Sequence, residues 1–177
     1  MDYEASDGGV LLPVQSMLIG GYYHGQIVRD GVVIDEWEDH NLVVDQGLNH
    51  ILNTEFMGSA AISAWYLGLF EGNYTPVAGL TAAGLVAAAT ESIAYNEATR
   101  QLFVGVTSTA KSMTNTAARA TFTFNAAKTL YGAFLISDST KSGTAGVLFS
   151  AARFATAKVV AATDQLLLAY TFNQASS

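Results

Sequence analysis

The run Asp35-Glu36-Trp37-Glu38-Asp39-His40 places four carboxylates and an imidazole within six residues. Converging carboxylates can hold a hard cation such as calcium, or divide acid and base roles between them. Convergence requires the backbone to aim them at one point. Along a strand, side chains alternate between faces, so 35, 37 and 39 point one way and 36, 38 and 40 the other. The run therefore reads as a solvated strand end, or as an edge kept from pairing by its charges. No metal site is expected there.

The other reactive residue types are equally scattered. His24, His40 and His50 show neither His-x-x-x-His nor His-Glu-x-x-His spacing, the patterns that put two imidazoles on one zinc ion. No Gly-x-Ser-x-Gly elbow, Gly-x-Gly-x-x-Gly turn or Walker loop occurs. A glycan hydrolase would need two carboxylates about 5–10 Å apart in a groove, and no spacing here supplies them. Trp37, Trp65, Tyr66 and Phe70 could line a sugar groove, although aromatics in strands more often anchor a core or an interface. Asn73-Tyr74-Thr75 matches a glycosylation sequon, with no secretion signal beside it. The expectation is no catalytic, metal-binding or cofactor-binding residue, no cofactor, and no enzyme activity.

Composition narrows the class further. Of 177 residues, 50% are apolar and only 13% charged, about half the usual charge of a soluble domain. Fifteen acids against eight bases exclude a nucleic-acid binder driven by a basic patch. The apolar content excludes a disordered polyanion, despite a net charge of -7 and a pI near 4.7. With no cysteine there is no disulfide scaffold and no thiolate chemistry. No run reaches the ~18 apolar residues of a membrane helix, and the acidic start Met1-Asp2-Tyr3-Glu4 is unlike a signal peptide. Up to residue 55, ten acids face only Arg29; the remainder holds seven bases against five acids. A near-neutral body rich in Ala and Thr points to a surface partly covered by partners.

The elements available to position any site are mostly strands. Tyr22–Arg29 and Val32–Trp37 read as a hairpin around Asp30-Gly31, with Tyr23, Ile27 and Val33 on one face. Asp45–Phe56 reads as the one good helix, capped by Asp45, striped by Leu48, Ile51, Leu52 and Phe56, and ended by Gly58. Thr81–Ala89 can form a short helix capped by Thr81. The run 64–70 reads as a strand buried on both faces. Five further strands are expected at 101–107, 121–125, 130–137, 147–154 and 165–173. The fold class is mainly β: a single-domain β-sandwich or jelly roll with one short α-helix, about 45–56, and an extended N-terminal arm. Its domains are an arm over 1–20 and a body over 21–177. Leu11, Leu12, Val14, Met17, Leu18 and Ile19 are candidate interface residues, because they are apolar without a period. They fit an arm laid on a neighbouring chain or a first strand of the body. Trp65, Leu67, Phe122, Phe124, Leu166, Leu168 and Tyr170 are candidate core or subunit-interface residues.

From Glu36 onward the chain resembles a family of tailed-bacteriophage virion structural proteins, similar to head decoration (cement) proteins. The matching stretches are Asn41-Leu42-Val43-Val44 with Gly47-Leu48-Asn49, Trp65–Phe70 with Asn73–Pro76, and Tyr95–Arg100. Ala120–Asn125, Tyr131–Leu135 and Ser150–Phe154 complete the pattern. The resemblance implies a non-enzymatic protein made in the host bacterial cytoplasm and located on the virion capsid surface. There it would bridge major capsid protein subunits and associate with itself as a homodimer or homotrimer, without nucleic acid or membrane. A neck, tail or baseplate component is the alternative.

Overall fold

Alternating apolar residues build two antiparallel sheets that pack face to face, a β-sandwich. The structure is a computed structural model that describes residues 3–5, 11–13, 17–108 and 110–176. At the N-terminus β1 (Tyr3–Ala5) and β2 (Leu11–Pro13) pair with each other. The sandwich proper begins with β3 (Met17–Arg29), β4 (Val32–His40), β5 (Leu42–Val43), helix α1 (Asp45–Met57) and β6 (Tyr66–Phe70). Helix α2 (Ala82–Ala89) follows, then β7 (Gln101–Leu102), β8 (Ser112–Thr114), β9 (Ala120–Thr123), β10 (Lys128–Ile136), β11 (Leu148–Val160) and β12 (Gln165–Ser176). One sheet runs β5-β11-β10-β6-β7; the other runs β4-β3-β12-β8, with β9 pairing farther along β12.

Between the sheets, Tyr23, Ile27, Phe122, Leu166, Leu168 and Tyr170 meet Leu67, Leu69, Leu135, Phe149 and Phe154. The far face of the first sheet is also covered, by α2. Phe70, Phe134, Ile136 and Leu148 pack there against Leu85 and Ala89, which explains why 66–70 is apolar without alternation. Two glycines make this face flat enough. Gly68 lies opposite Phe134 and Gly132 opposite Phe70. A Cβ on either would stand 2.2 or 2.0 Å from the ring that now lies over it.

Several expectations resolve in detail. Asp30 (φ 50°) and Gly31 (φ 78°) form the tight hairpin turn. Val33 does not share a face with Ile27, because the register shifts there: Ile27 pairs with Asp35 but Val28 with Val33. That bulge turns Asp35, Trp37 and Asp39 inward and leaves Val33 exposed. Helix α1 starts where expected, but Asp45 is its first helical residue. The N-cap is Val44, with no side-chain cap bond. Asp45 instead places a negative charge at the positive end of the helix dipole. The stripe is half right, since Leu48 and Ile51 pack on the core while Leu52 and Phe56 are exposed. Among the described residues there are two α-helices rather than one; in α2 the Thr81 hydroxyl accepts from the Gly84 amide at 3.1 Å. Of the strand expected at 101–107 only Gln101–Leu102 pairs in the sheet. The rest crosses between sheets, with Phe103 N–H bonded to the Trp65 carbonyl and Val106 N–H to that of Thr114.

The last four residues of the arm expected over 1–20 lie in β3. Met17, Leu18 and Ile19 belong to β3, opposite Ser176, Ala175 and Gln174 of β12. Leu11 and Leu12 lie in β2, and Val14 lies outside the described residues. The flanking strands stop near Tyr22 and Asn173, so β3 and β12 continue beyond them as a two-stranded ribbon. At the gap between β8 and β9, the buried Asn115 side chain stands in for a strand: its Oδ1 accepts from Tyr170 N–H at 2.7 Å and its Nδ2 donates to the Leu168 carbonyl.

Candidate functional site

The acidic run disperses, as alternation requires. Asp35 meets Lys158 Nζ at 3.1 Å, and Asp39 accepts from the Ala155 amide at 3.0 Å. Both bonds reach across to β11 and close one side of the sandwich, so these two acids tie the sheets together while remaining partly solvated on the edge strand β4. Lys158 also lies 4.5 Å from the Trp37 ring centre. Glu36 points outward and accepts from Gln26 and His24, bonds that hold its carboxyl below the usual range. Among the described residues, no group of three or more His, Asp or Glu is placed to hold a metal ion.

The histidines are separated too. Among the described residues, His24 carries a chain of polar contacts with a catalytic look: Arg119 Nη2 at 3.1 Å from Nδ1, and Glu36 at 2.7 Å from Nε2. A guanidinium can only donate, so Nδ1 accepts and the ring proton on Nε2 goes to Glu36. The chain thus ends in a cation where a nucleophile would have to stand, and it activates nothing. His40 packs edge-on to Tyr22 and His50 edge-on to Trp65.

The strongest ionic feature is the buried pair of Arg100 and Glu91. The guanidinium donates to both Glu91 oxygens at 2.9 and 2.7 Å and to the carbonyls of Asp138 and Gly143. Its Nη1 also lies 3.6 Å from the Asp138 carboxylate. Four of its five N–H groups are hydrogen-bonded within the fold, and the side chain has no exposure to a ligand. Its job is to tie the segment before β7 to the β10–β11 loop.

What remains accessible is an apolar cleft of about 610 Å³ between α1 and the ends of the two sheets. Gly47 sets its geometry. A Cβ there would sit 2.4 Å from the Phe149 carbonyl oxygen, so only glycine lets α1 lie this close to β11. Trp65, Phe103, Phe149 and Phe172 line the cleft, with Trp65 against Phe149 and Phe149 against Phe172 edge to face. Tyr170 contributes one wall; its phenol accepts from Asn41, and burial holds its pKa well above the usual phenol value. His50, Thr54, Glu55 and Gln174 are the polar residues at its margin. They supply no carboxylate pair, so the cleft is suited to receiving apolar side chains rather than to moving protons.

Phe56 and Met113 line the cleft and are exposed, and Met57, next to Phe56 in α1, is exposed as well. Of the candidate core residues, Leu67, Phe122, Phe124, Leu166, Leu168 and Tyr170 are buried, and Trp65 is half-buried in the cleft wall. Trp37, Trp65, Tyr66 and Phe70 do not come together as a groove. Trp37 packs on Phe154, and Phe70 lies under α2. Sequence reading missed the cleft because its walls come from α1, the 103 segment, β8, β11 and β12 together. The signal it held was the pair of large apolar residues Phe56-Met57 at the very end of the helix, next to its Gly58 stop. No protein-family model matches the sequence, and no curated protein matches it.

Proposed function

We propose that this chain is a non-enzymatic structural protein of a tailed-phage virion, a decoration protein that stabilises the head shell by bridging major capsid subunits. The observation that carries this reading is the aromatic cleft, with the exposed Phe56 and Met113 in its lining. An open apolar feature of this kind marks a surface that takes a partner. The body suits the task. It is a sandwich with apolar packing on both faces of one sheet and its ionic groups tied into the fold. The motif resemblance to phage structural proteins supplies the virion context. Purified protein mixed with undecorated heads should co-sediment to a fixed stoichiometry and raise their melting temperature. Failure to bind any head preparation at saturating concentration overturns the proposal.

A further inference from the structure

Apart from the aromatic cleft, the chain carries a shallower depression of about 330 Å³, between Thr75-Pro76 and the paired strands β5 and β11. Leu42, Pro76 and Ala151 give it apolar walls, and its basic groups are Arg153 and His40. No carboxylate lines it, in a chain whose net charge is -7. Arg153 is exposed, and its Nε donates to Asn73 Oδ1 at 2.6 Å. Its tether is thus a neutral amide. Arg29, Arg100, Lys128 and Lys158 each meet a carboxylate at 2.7–3.1 Å, whereas Arg153 forms no ion pair among the described residues. The tether is itself fixed. Tyr74 N–H closes a tight turn around Asn73 onto the Gly72 carbonyl at 2.8 Å, and Gly72 N–H bonds the Ala89 carbonyl at the end of α2. A Cβ on Gly72 would sit 2.6 Å from that carbonyl oxygen, so glycine lets the turn dock there.

We infer that this depression binds a carboxylate group, held by the Nη1 and Nη2 edge of Arg153 with His40 as a second donor. Nε is engaged by Asn73, and that is the one hydrogen bond of this guanidinium among the described residues. The two Nη groups remain, and their parallel N–H bonds match the two oxygens of a carboxylate. An imidazole keeps at least one N–H in either charge state, so His40 can donate as well. The neutral tether orients the guanidinium without cancelling its charge, which lowers the ordering cost of meeting an anion. Leu42 and Pro76 displace water from part of the rim, and the attraction strengthens where water is excluded. A carboxylate on a short chain fits such a hollow: the end of an Asp or Glu side chain of another protein, or a small free acid. Their chemistry is shared, and the test separates the two sources. The inference does not depend on what the protein decorates.

NMR titration of the isotope-labelled full chain tests this, with sodium chloride holding the ionic strength constant. The probes are sodium acetate and the blocked peptide acetyl-Ala-Glu-Ala-amide. The Arg153 Nε–H resonance and the amides of His40 and Leu42 should shift saturably, with half-saturation in the millimolar range. Arg153→Gln should weaken binding at least about tenfold, as loss of a charge-assisted pair does. Arg153→Lys keeps the charge and loses the planar fork, and should weaken it by about threefold or more. Thermal melts by circular dichroism serve as the folding control for both. Lys111→Gln removes an exposed cation just before β8 and should leave binding unchanged. Peptide binding at least about threefold tighter than acetate assigns the site to a protein side chain; equal or weaker peptide binding assigns it to a small free acid. Shifts that stay linear to several hundred millimolar, or saturable shifts that survive Arg153→Gln, overturn the inference. So does phosphate binding about tenfold tighter than either probe, which would replace the carboxylate class.

Discussion

Replacing Arg100 by methionine should remove a large part of this protein's stability. The substitution keeps an unbranched chain in a site with no solvent exposure and deletes the partner of an equally buried Glu91. Glu91 retains one bond, from the Ser142 amide at 2.7 Å, and loses both charge-assisted ones. Breaking a buried ion pair from one side costs about 3–5 kcal/mol. Against a usual total of roughly 5–15 kcal/mol, that is a third of the stability or more. Urea unfolding followed by tryptophan fluorescence would read it. With a slope near 2 kcal/mol per molar, the midpoint should fall by about 2 M at unchanged slope. The double variant Arg100→Met/Glu91→Leu should cost less than the sum of the two single variants, because an apolar pair leaves no stranded charge. A midpoint shift below about 0.5 M, or strict additivity, would refute the argument that Arg100 is a buried structural tie.

Three further substitutions test other parts of the fold. Gly68→Ala should destabilise by about 1–3 kcal/mol or more, since the new Cβ meets the Phe134 ring at 2.2 Å; a neutral melt would mean the ring does not lie over Gly68. Asn115→Ala strands the Tyr170 N–H and the Leu168 carbonyl between β8 and β9 and should cost roughly 1–3 kcal/mol in denaturant titration; a cost below a few tenths contradicts it. Asp164 receives two hydrogen bonds from Arg29 and one from the Ala161 amide, which hold its carboxyl below the usual carboxylate range. Its contribution is therefore complete above an unfolded-state pKa of about 3.9 and is lost as pH falls through the lower folded value. Asp164→Asn should lower stability at neutral pH and flatten the acid limb of the stability profile; an unchanged acid limb tells against it.

What the sequence made legible was local. Leu166, Leu168 and Tyr170 alternate in a strand that the structure buries on the same side, and Asp30-Gly31 and Gly58 adopt the positive φ their residue types favour. Thr81 caps α2 as its hydroxyl allows. The errors came where a distant element decided the outcome. One extra residue in β4 reversed which of Val33 and Asp35 faces the core. Leu18 and Ile19 lie where β3 and β12 run on beyond their flanking strands, with Leu18 exposed and Ile19 packed on the core, so their burial depends on strands distant in sequence. The Arg100–Glu91 tie and the Asn115 plug join residues by hydrogen bonds that no hydrophobic pattern reports. The cleft was hidden for the same reason: no single segment contains it. Phe56 completed a helical stripe on paper, and only the placement of α1 on β11 through Gly47 shows that the stripe's end hangs over an open aromatic floor.

The central claim, that this protein decorates a phage head, is tested most directly by locating it on the particle. Virions carrying a small epitope tag at residue 177, labelled with gold and viewed in negative stain, should bear label over the whole head surface. Label confined to one vertex would move the protein to the neck or tail, and unlabelled particles would contradict its place in the virion.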